Sequence, residues 1–493
     1  MMYGFGPWLP DQPSFESGAC SDVLNVIPSE KGYRPANSFF NVPSAITARA
    51  QGAFTCRGKQ GTIYNFCGDA TKLYKQASNG LTWEDVSRLA GGAYATAASG
   101  WWDFALFGDI VIATNGVDAP QRFQLDVDAD FSALGGSPPI AKFVFVIRDF
   151  VVLACRSTAF DTLTWSALGN AEDWVASATT LSDSQTMFEG GTIMGGVGGE
   201  YGTLFQERAI SRMSFEGPPT VFRFDKISNS MGCRAERSIA AYENLIFFMS
   251  NDGQKLIRGG SEITDIGSEK IDRWLETEFD GNYTHRVSSA IDPVKKLYAM
   301  SFPNGSAASG TPNTIVAYHW PTGKWAPQSP GDHEIIYVGA TQETYTIDGL
   351  DALSGTIDGL PYPVDSRFYA GAGELLLAAF NSSHQQGFYT GAFLAATIET
   401  GDVQLNPGVK SLLRSLRPML EGSSITITVT IKHRNLLQEA HTSESAVAVN
   451  SNGVCPVRVK ARYHRAKVNT AANDNWTHAN GIDDVVFSRM GKR

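Results

Sequence analysis

The sequence predicts an all-β protein: a β-propeller of six or seven irregular blades, a second antiparallel β-sandwich or barrel domain, and an extended N-terminal arm. Three observations carry this. A strand–turn–strand unit recurs along most of the chain, 49 glycines with only 18% charged residues favour turns over exposed charged helix, and no stretch keeps a helical hydrophobic period. At 493 residues the chain exceeds the ~250 to 300 at which one hydrophobic core stops growing, so two or three units are expected.

Residues 1–51 are assigned to the arm. Pro7, Pro10 and Pro13, then Pro28, Pro35 and Pro43, break up the apolar runs and suit a polyproline II segment, whose backbone stays free to lie on a neighbour. A strap lying on its own subunit fits the same composition, and the sequence leaves both open. The opening residues MMYGFGPWLPDQPSF have neither a basic n-region nor an apolar h-region, so no secretory signal is expected. The most apolar stretch, 143–155 (FVFVIRDFVVLAC), is broken by Arg148 and Asp149. It falls short of the ~20 apolar residues a membrane helix needs, and no membrane span is expected.

Residues 52–358 are assigned to the propeller. The recurring unit begins near Ile63, Phe104, Phe143, Ile193, Ile239, Ile291 and Ile335, with starts 39 to 52 residues apart. Each turn carries Gly, Asp or Asn, which accept positive φ or cap a turn with a side-chain oxygen. A lone hairpin buries too little to be stable, so such units must stack. Four-stranded repeats of ~40 to 45 residues are the mark of a propeller.

Residues 359–493 are assigned to the C-terminal β-sheet domain. Ile425, Ile427, Val429 and Ile431 alternate with Thr426, Thr428, Thr430 and Lys432, the period of a half-buried strand. The run 457–468 (VRVKARYHRAKV) alternates likewise and places Arg458, Lys460, Arg462 and His464 on one face. Net charge is −10, yet residues 408–493 hold 13 Lys and Arg against 6 Asp and Glu, a surplus of 7 that leaves −17 for residues 1–407. An acidic body is not built to displace counterions from DNA. The face of Arg458, Lys460, Arg462 and His464 is the candidate docking face for an acidic partner, with a merely solvated face as the alternative.

Motifs with chemistry were weighed in turn. Asp126, Asp128 and Asp130 open like a calcium loop, but Phe131 and Ser137 stand where Gly and Glu are required. The cluster 195–202 (GGVGGEYG) lacks a Walker lysine and precedes a strand, so it reads as a turn between strands. Gly80-Leu81-Thr82-Trp83 matches the ending of a turn found in propeller glycosidases, with Ser78 in place of the aspartate. No carboxylate pair can be assigned to acid and base, there is no G-x-S-x-G elbow, and the eight scattered histidines form no H-x-x-x-H pair. Cys20, Cys56, Cys67, Cys155, Cys233 and Cys455 are too dispersed for a disulfide framework or a zinc site and are expected to be buried thiols; Cys56 and Cys67 flank a hairpin and could face each other. No catalytic residue, metal or cofactor is expected. The loop 303–313 (PNGSAASGTPN) has the small, uncharged residues of a moving segment, and equally those of a hairpin tip.

One set of motifs runs the length of the chain in order: GYRPANSF (32–39), FCGDATKLY (66–74), FGDIVIATNGVDAPQRF (107–123), WSALGNAEDW (165–174), LFQERAISRMSFEGPP (204–219), DIGSEKIDRW (265–274), RYHR (462–465) and WTHANGID (476–483). In these the chain resembles the tail nozzle proteins of short-tailed bacteriophages, also described as packaged-DNA stabilisation proteins. The resemblance implies a non-enzymatic virion protein, assembled in the host bacterial cytoplasm. It implies a homo-hexamer that forms the lower tail tube, attached to the adaptor beneath the portal and to a needle, tip, fibre or spike beyond. Duplex DNA would be retained and later pass through its channel without specific binding. The competing expectation is a propeller that binds or hydrolyses host surface glycan.

Overall fold

The computed structural model describes residues 2–15, 18–341, 354, 356–359 and 373–490. Seven four-stranded antiparallel sheets succeed one another along the chain. Blade 1 comprises Ala53–Arg57, Ile63–Gly68, Leu73–Gln76 and Trp83–Asp85. Blades 2 to 6 open with the inner strands Asp103–Phe107, Ala141–Ile147, Ile193–Val197, Ala240–Tyr242 and Ser288–Asp292. Blade 7 takes His333–Ala340, Leu375–Asn381 and Gln385–Phe388, and its fourth strand, Phe40–Ala45, comes from the other end of the chain. The inner strand of blade 7 packs on that of blade 1 and closes the ring. The protein is an all-β propeller of seven blades.

Blade 3 shows why the apolar runs are continuous and not alternating. Phe150–Arg156 is the second strand of its sheet, and Phe150, Val151, Val152, Leu153 and Ala154 are all fully buried. Neighbouring blades cover both faces of such a strand, so both faces must be apolar. Ile147 pairs with Phe150, leaving Arg148 and Asp149 as a two-residue hairpin turn in which Arg148 takes φ 49°. The glycines at 195–202 have a packing role: a Cβ on Gly196 would stand 2.2 Å from the Phe145 ring, and one on Gly198 would stand 2.0 Å from the Val146 carbonyl oxygen.

The remaining strands form two six-stranded sheets. In the first, the order is Val26–Pro28, Tyr33–Pro35, Asn475–Arg489, Ser411–Ser423, Cys455–Ala461, with Tyr3–Gly4 also on Asn475–Arg489. In the second it is Cys20–Leu24, Thr397–Thr400, Tyr463–Thr470, Ile427–Arg434, Thr442–Ser443, with Val447–Ala448 also on Ile427–Arg434. Leu413, Leu416, Val459, Trp476 and Ile482 of one sheet share a core with Ile398, Val429, Ile431 and Val468 of the other. This module is a β-sandwich.

Residues 1–51 are therefore not an extended arm. Their strands complete both sheets of the sandwich and the seventh blade, so of the two options left open they lie on their own chain. The propeller correspondingly runs past residue 358 to Phe388, and the sandwich is built from both chain ends. Pairing between segments hundreds of residues apart is decided by tertiary contacts, and very short strands such as Val26–Pro28 have no period of their own to show.

The two modules share one core. Phe247 and Leu256 of blade 5, and Tyr298, Tyr318 and Trp325 of blade 6, belong to the same buried cluster as Val23, Val26 and Tyr33 of the sandwich. Trp8 packs edge-on against Trp274, with ring centroids 4.8 Å apart. The helix Asp272–Glu278 has no side-chain cap at its own Ile271. Asp11 supplies one instead, accepting from the amides of Arg273 and Trp274 at 2.9 Å each, and so satisfies two of the free N–H groups of a first helical turn.

Candidate functional site

The run 457–468 is not one strand. Cys455–Ala461 pairs in the first sheet, the chain crosses over at Arg462, and Tyr463–Thr470 pairs in the second sheet. The crossing breaks the alternation, because a strand that changes sheets no longer keeps one face to solvent. Arg458 and Lys460 are exposed, whereas Arg462 is half-buried beside Gln404. His464 is only 4% exposed. It lines a small apolar cavity between the sheets with Leu413, Leu416, Ile431 and Ile482. Burial pushes its imidazole down to about 4, against the opposing pull of a backbone hydrogen bond at Val459. Of the candidate face, Arg458 and Lys460 are at the surface and His464 is not. Arg414, exposed on the adjoining strand, lies beside them; it escaped the sequence reading because SLLRSLRPML fits a strand or a short helix.

Much of the basic surplus after residue 408 is neutralised within the sandwich. The Asp402 side chain is fully buried and accepts from Arg465 Nε at 2.9 Å, His441 Nε2 at 2.8 Å, Ser14 Oγ at 2.9 Å, and Arg434. Glu399 accepts from Lys432 Nζ at 2.6 Å and Arg465 Nη1 at 3.3 Å. Burial alone would raise the Asp402 carboxyl, but the hydrogen bonds from Arg465 and His441 outweigh it and hold the group well below the usual carboxylate range. Lys467 pairs with Asp22 at 3.4 Å. The acids come from residues outside 408–493, so composition by segment overstates the charge this module presents.

The propeller axis is a narrow space between the inner strands. A cavity of 560 Å³ is lined by all seven inner strands, including Phe54, Phe104, Phe145, Val197, Ile291 and Val338. Contacts across the ring cover one end. Trp101, entering blade 2, donates from Nε1 to the His285 carbonyl ahead of blade 6 at 2.7 Å. Arg237, ahead of blade 5, donates to Asp103 at 2.6 Å, and Lys142 of blade 3 pairs with Glu236. No duplex could thread this axis.

The remaining motifs hold turns. Asp126 accepts from the Tyr64 hydroxyl at 2.7 Å, and Asp128 accepts from the Gln124 amide at 2.7 Å and from Arg122 at 3.2 Å. Asn79 caps the turn before Trp83 by accepting from the Leu81 amide at 2.9 Å. In the loop 303–313, Asn304 and Asn313 bond to each other, and Gly310 sits against the Tyr283 ring. All six cysteines are free and buried. Cys56 stands opposite Tyr64 and Cys67 opposite Ala53, so the two thiols do not face each other.

No family model matches the chain, and no curated protein does. Among solved structures it is similar to the extracellular domain of a hybrid two-component system of B. thetaiotaomicron (9% identity, TM-score 0.38, covering 83% of this chain and 47% of that one). It is also similar to a chain of the Mitotic Checkpoint Complex (9% identity, TM-score 0.39, 74% and 96% covered) and to YCF48 bound to D1 peptide (10% identity, TM-score 0.37, 60% and 87% covered). The chain spans less than half the length of the first of these.

Proposed function

We propose that the protein is a structural subunit of a viral tail: the nozzle of a short-tailed phage, acting as a homo-hexamer that retains packaged DNA and conducts it during ejection. The observation that carries this reading is the ordered motif series from GYRPANSF to WTHANGID. Its members fall on blade hairpins, on the helix-bearing link after blade 5, and on the strands that tie the sandwich together. These are the parts that set the shape of a ring subunit.

Two features of the chain suit that work. A propeller and a sandwich with a common core behave as one rigid wedge, and rigid wedges pack side by side into closed rings. Six copies at −10 each carry −60, and a negative lining keeps a duplex from sticking. A wall making even ~6 to 10 phosphate contacts would bind it orders of magnitude more tightly. Because contacts across the ring cover one end of the propeller axis, the channel in this proposal runs between copies and not through a propeller. Arg458, Lys460 and Arg414 are the surface offered to an acidic adaptor or neighbouring subunit. The test is deletion of the gene in the virus that encodes it. The proposal expects heads that package DNA and then lose it. Particles that stay DNA-filled but no longer adsorb to host polysaccharide would favour the glycan-binding alternative.

A further inference from the structure

Two surfaces on opposite sides of the molecule are complementary in charge, and each carries exposed apolar side chains. The first is the loop 435–440 of the sandwich, which holds Leu436 and Leu437 54% and 41% exposed. Its two ends are tied to one buried acid, because Arg434 before it and His441 after it both bond to Asp402. Arg434 Nη1 also donates to the Leu437 carbonyl at 2.6 Å, and the Glu439 carboxylate accepts from the amides of Asn435 at 3.0 Å and Leu436 at 3.1 Å. A loop braced in this way presents its leucines with little ordering entropy left to lose on contact. Arg434 stands opposite Tyr463, next to the crossover at Arg462, so the loop and Lys460 share one end of the module. Cys20–Leu24 and Val26–Pro28 pack on the outermost strand of blade 6, Lys324–Gln328, whereas Cys455–Ala461, which bears Arg458 and Lys460, is the far edge of its sheet. The leucines and these bases are thus on the side of the sandwich away from the propeller.

The second surface belongs to strands Ala159–Trp165 and Asp183–Thr186 of blade 3. Thr162 pairs with Thr186, and the Met187 amide donates to the Asp161 carbonyl at 2.8 Å, so Phe160 and Phe188 are the next pair along the ladder. Leu163, Trp165 and Met187 turn into the core shared with blade 4, which leaves Phe160 and Phe188 on the face towards blade 2. The outermost strand of blade 2, Ser132–Ala133, has only two residues, and the two rings stay 60% and 82% exposed. Asp161 and Asp183, on the same two strands, accept from Thr162 Oγ1 and the Ser184 amide and have no cationic partner among the described residues. Residues 103–186, blades 2 and 3, hold 11 Asp and Glu against 4 Lys and Arg, a net of −7. In a ring of seven blades these two stand farthest from blade 6, and so from the sandwich.

We propose that these surfaces dock head to tail: the leucine loop of one copy, flanked by Arg458 and Lys460, seats on the Phe160 and Phe188 pair of the next copy, among its aspartates. This rests on the homo-hexamer proposed above and names its contact. Exposed apolar groups rimmed by charge mark association surfaces. Aromatic anchors supply affinity, and opposite charges set register and partner. Pairing either surface with its own copy would oppose like charges, so the contact is heterologous, the kind whose repetition generates a ring.

Sedimentation velocity on the full chain tests this with two double variants. Leu436→Ser with Leu437→Ser blunts the loop, and Phe160→Ser with Phe188→Ser blunts the rim. The parent should assemble, and each variant alone should do so at least about 10-fold more weakly. Mixed one to one, the two variants should form a dimer and stop there, since one intact loop meets one intact rim. Arg458→Glu with Lys460→Glu, and Asp161→Lys with Asp183→Lys, repeat the test through charge alone: each pair weakens assembly, and all four in one chain restore it. The docking is overturned if variants of unchanged melting temperature assemble as the parent does, or if the mixture stays monomeric where the parent assembles. A hexameric parent with unimpaired variants would strike this contact and leave the hexamer standing. A parent still monomeric at about 1 mM would overturn the self-docking, and its binding to phosphatidylglycerol vesicles would reassign the leucines to a lipid surface; the hexamer in tails is then read separately, from particles.

Discussion

His464 makes the sandwich acid-sensitive in a way that one substitution removes. Its imidazole titrates near 6.5 when exposed and is pushed down to about 4 by burial in the fold. Between those values the unfolded chain binds a proton that the folded chain does not, so the stability tied to this residue is complete above pH 6.5 and is lost as pH falls towards 4. Each pH unit in that window costs about 1.4 kcal/mol, and going from pH 7 to pH 5 costs about 2 kcal/mol. His464→Leu abolishes this term and also takes a polar ring out of an apolar cavity. Urea unfolding followed by circular dichroism should find the variant at least as stable as the parent at pH 7, with the gap between them widening by about 2 kcal/mol at pH 5. Other groups titrate in the same range, including Asp272, raised to about 6 by burial, and His333, lowered to about 4 by burial. They are present in both proteins and cancel in the difference. Parallel stability curves would show that His464 is not held neutral in the fold, and would refute the reasoning.

Three further outcomes follow from the packing. Arg465→Ala strips two bonds from the fully buried Asp402 and one from Glu399; leaving buried carboxylates undercompensated should cost about 3 to 5 kcal/mol in denaturant unfolding. Gly196→Val would place a branched side chain where a single Cβ already stands 2.2 Å from the Phe145 ring, and overpacking of this kind should lower stability by at least about 1 to 3 kcal/mol, read as a fall in melting temperature. Reversing Arg458 and Lys460 to glutamate should leave the melting temperature of the isolated chain within a few degrees of the parent, since both are exposed. The same pair of changes should reduce incorporation into tails, measured by gel analysis of purified particles.

The propeller was legible because its period is local. Six of the seven predicted starts coincide with inner strands, Ile239 one residue early; Ile63 instead opens the second strand of blade 1. Hairpin turns left their mark in Gly, Asp and Asn, and stacked blades in unbroken apolar runs such as 150–155. What stayed hidden was non-local. Nothing in FNVPSA (40–45) announces that it will pair with Gln385–Phe388, and nothing in YRP announces a partner near Ala479. The exposed basic face was half legible: Arg458 and Lys460 obey the alternation they displayed, while His464 does not, because the chain changes sheets at Arg462. The cover over one end of the propeller had no sequence signal at all. Trp101, Lys142, Arg237 and His285 come from four different inter-blade connections or inner strands, and only ring closure brings them together.

In the proposed arrangement this chain is one wedge of a ring whose channel lies between copies. Electron cryomicroscopy of the purified protein, or of particles that contain it, tests that most directly. The expected result is a sixfold ring in which density for seven-bladed propellers surrounds an axial channel wide enough for a duplex. Isolated monomers that bind polysaccharide, or a ring whose only passage runs through the propellers themselves, would contradict it.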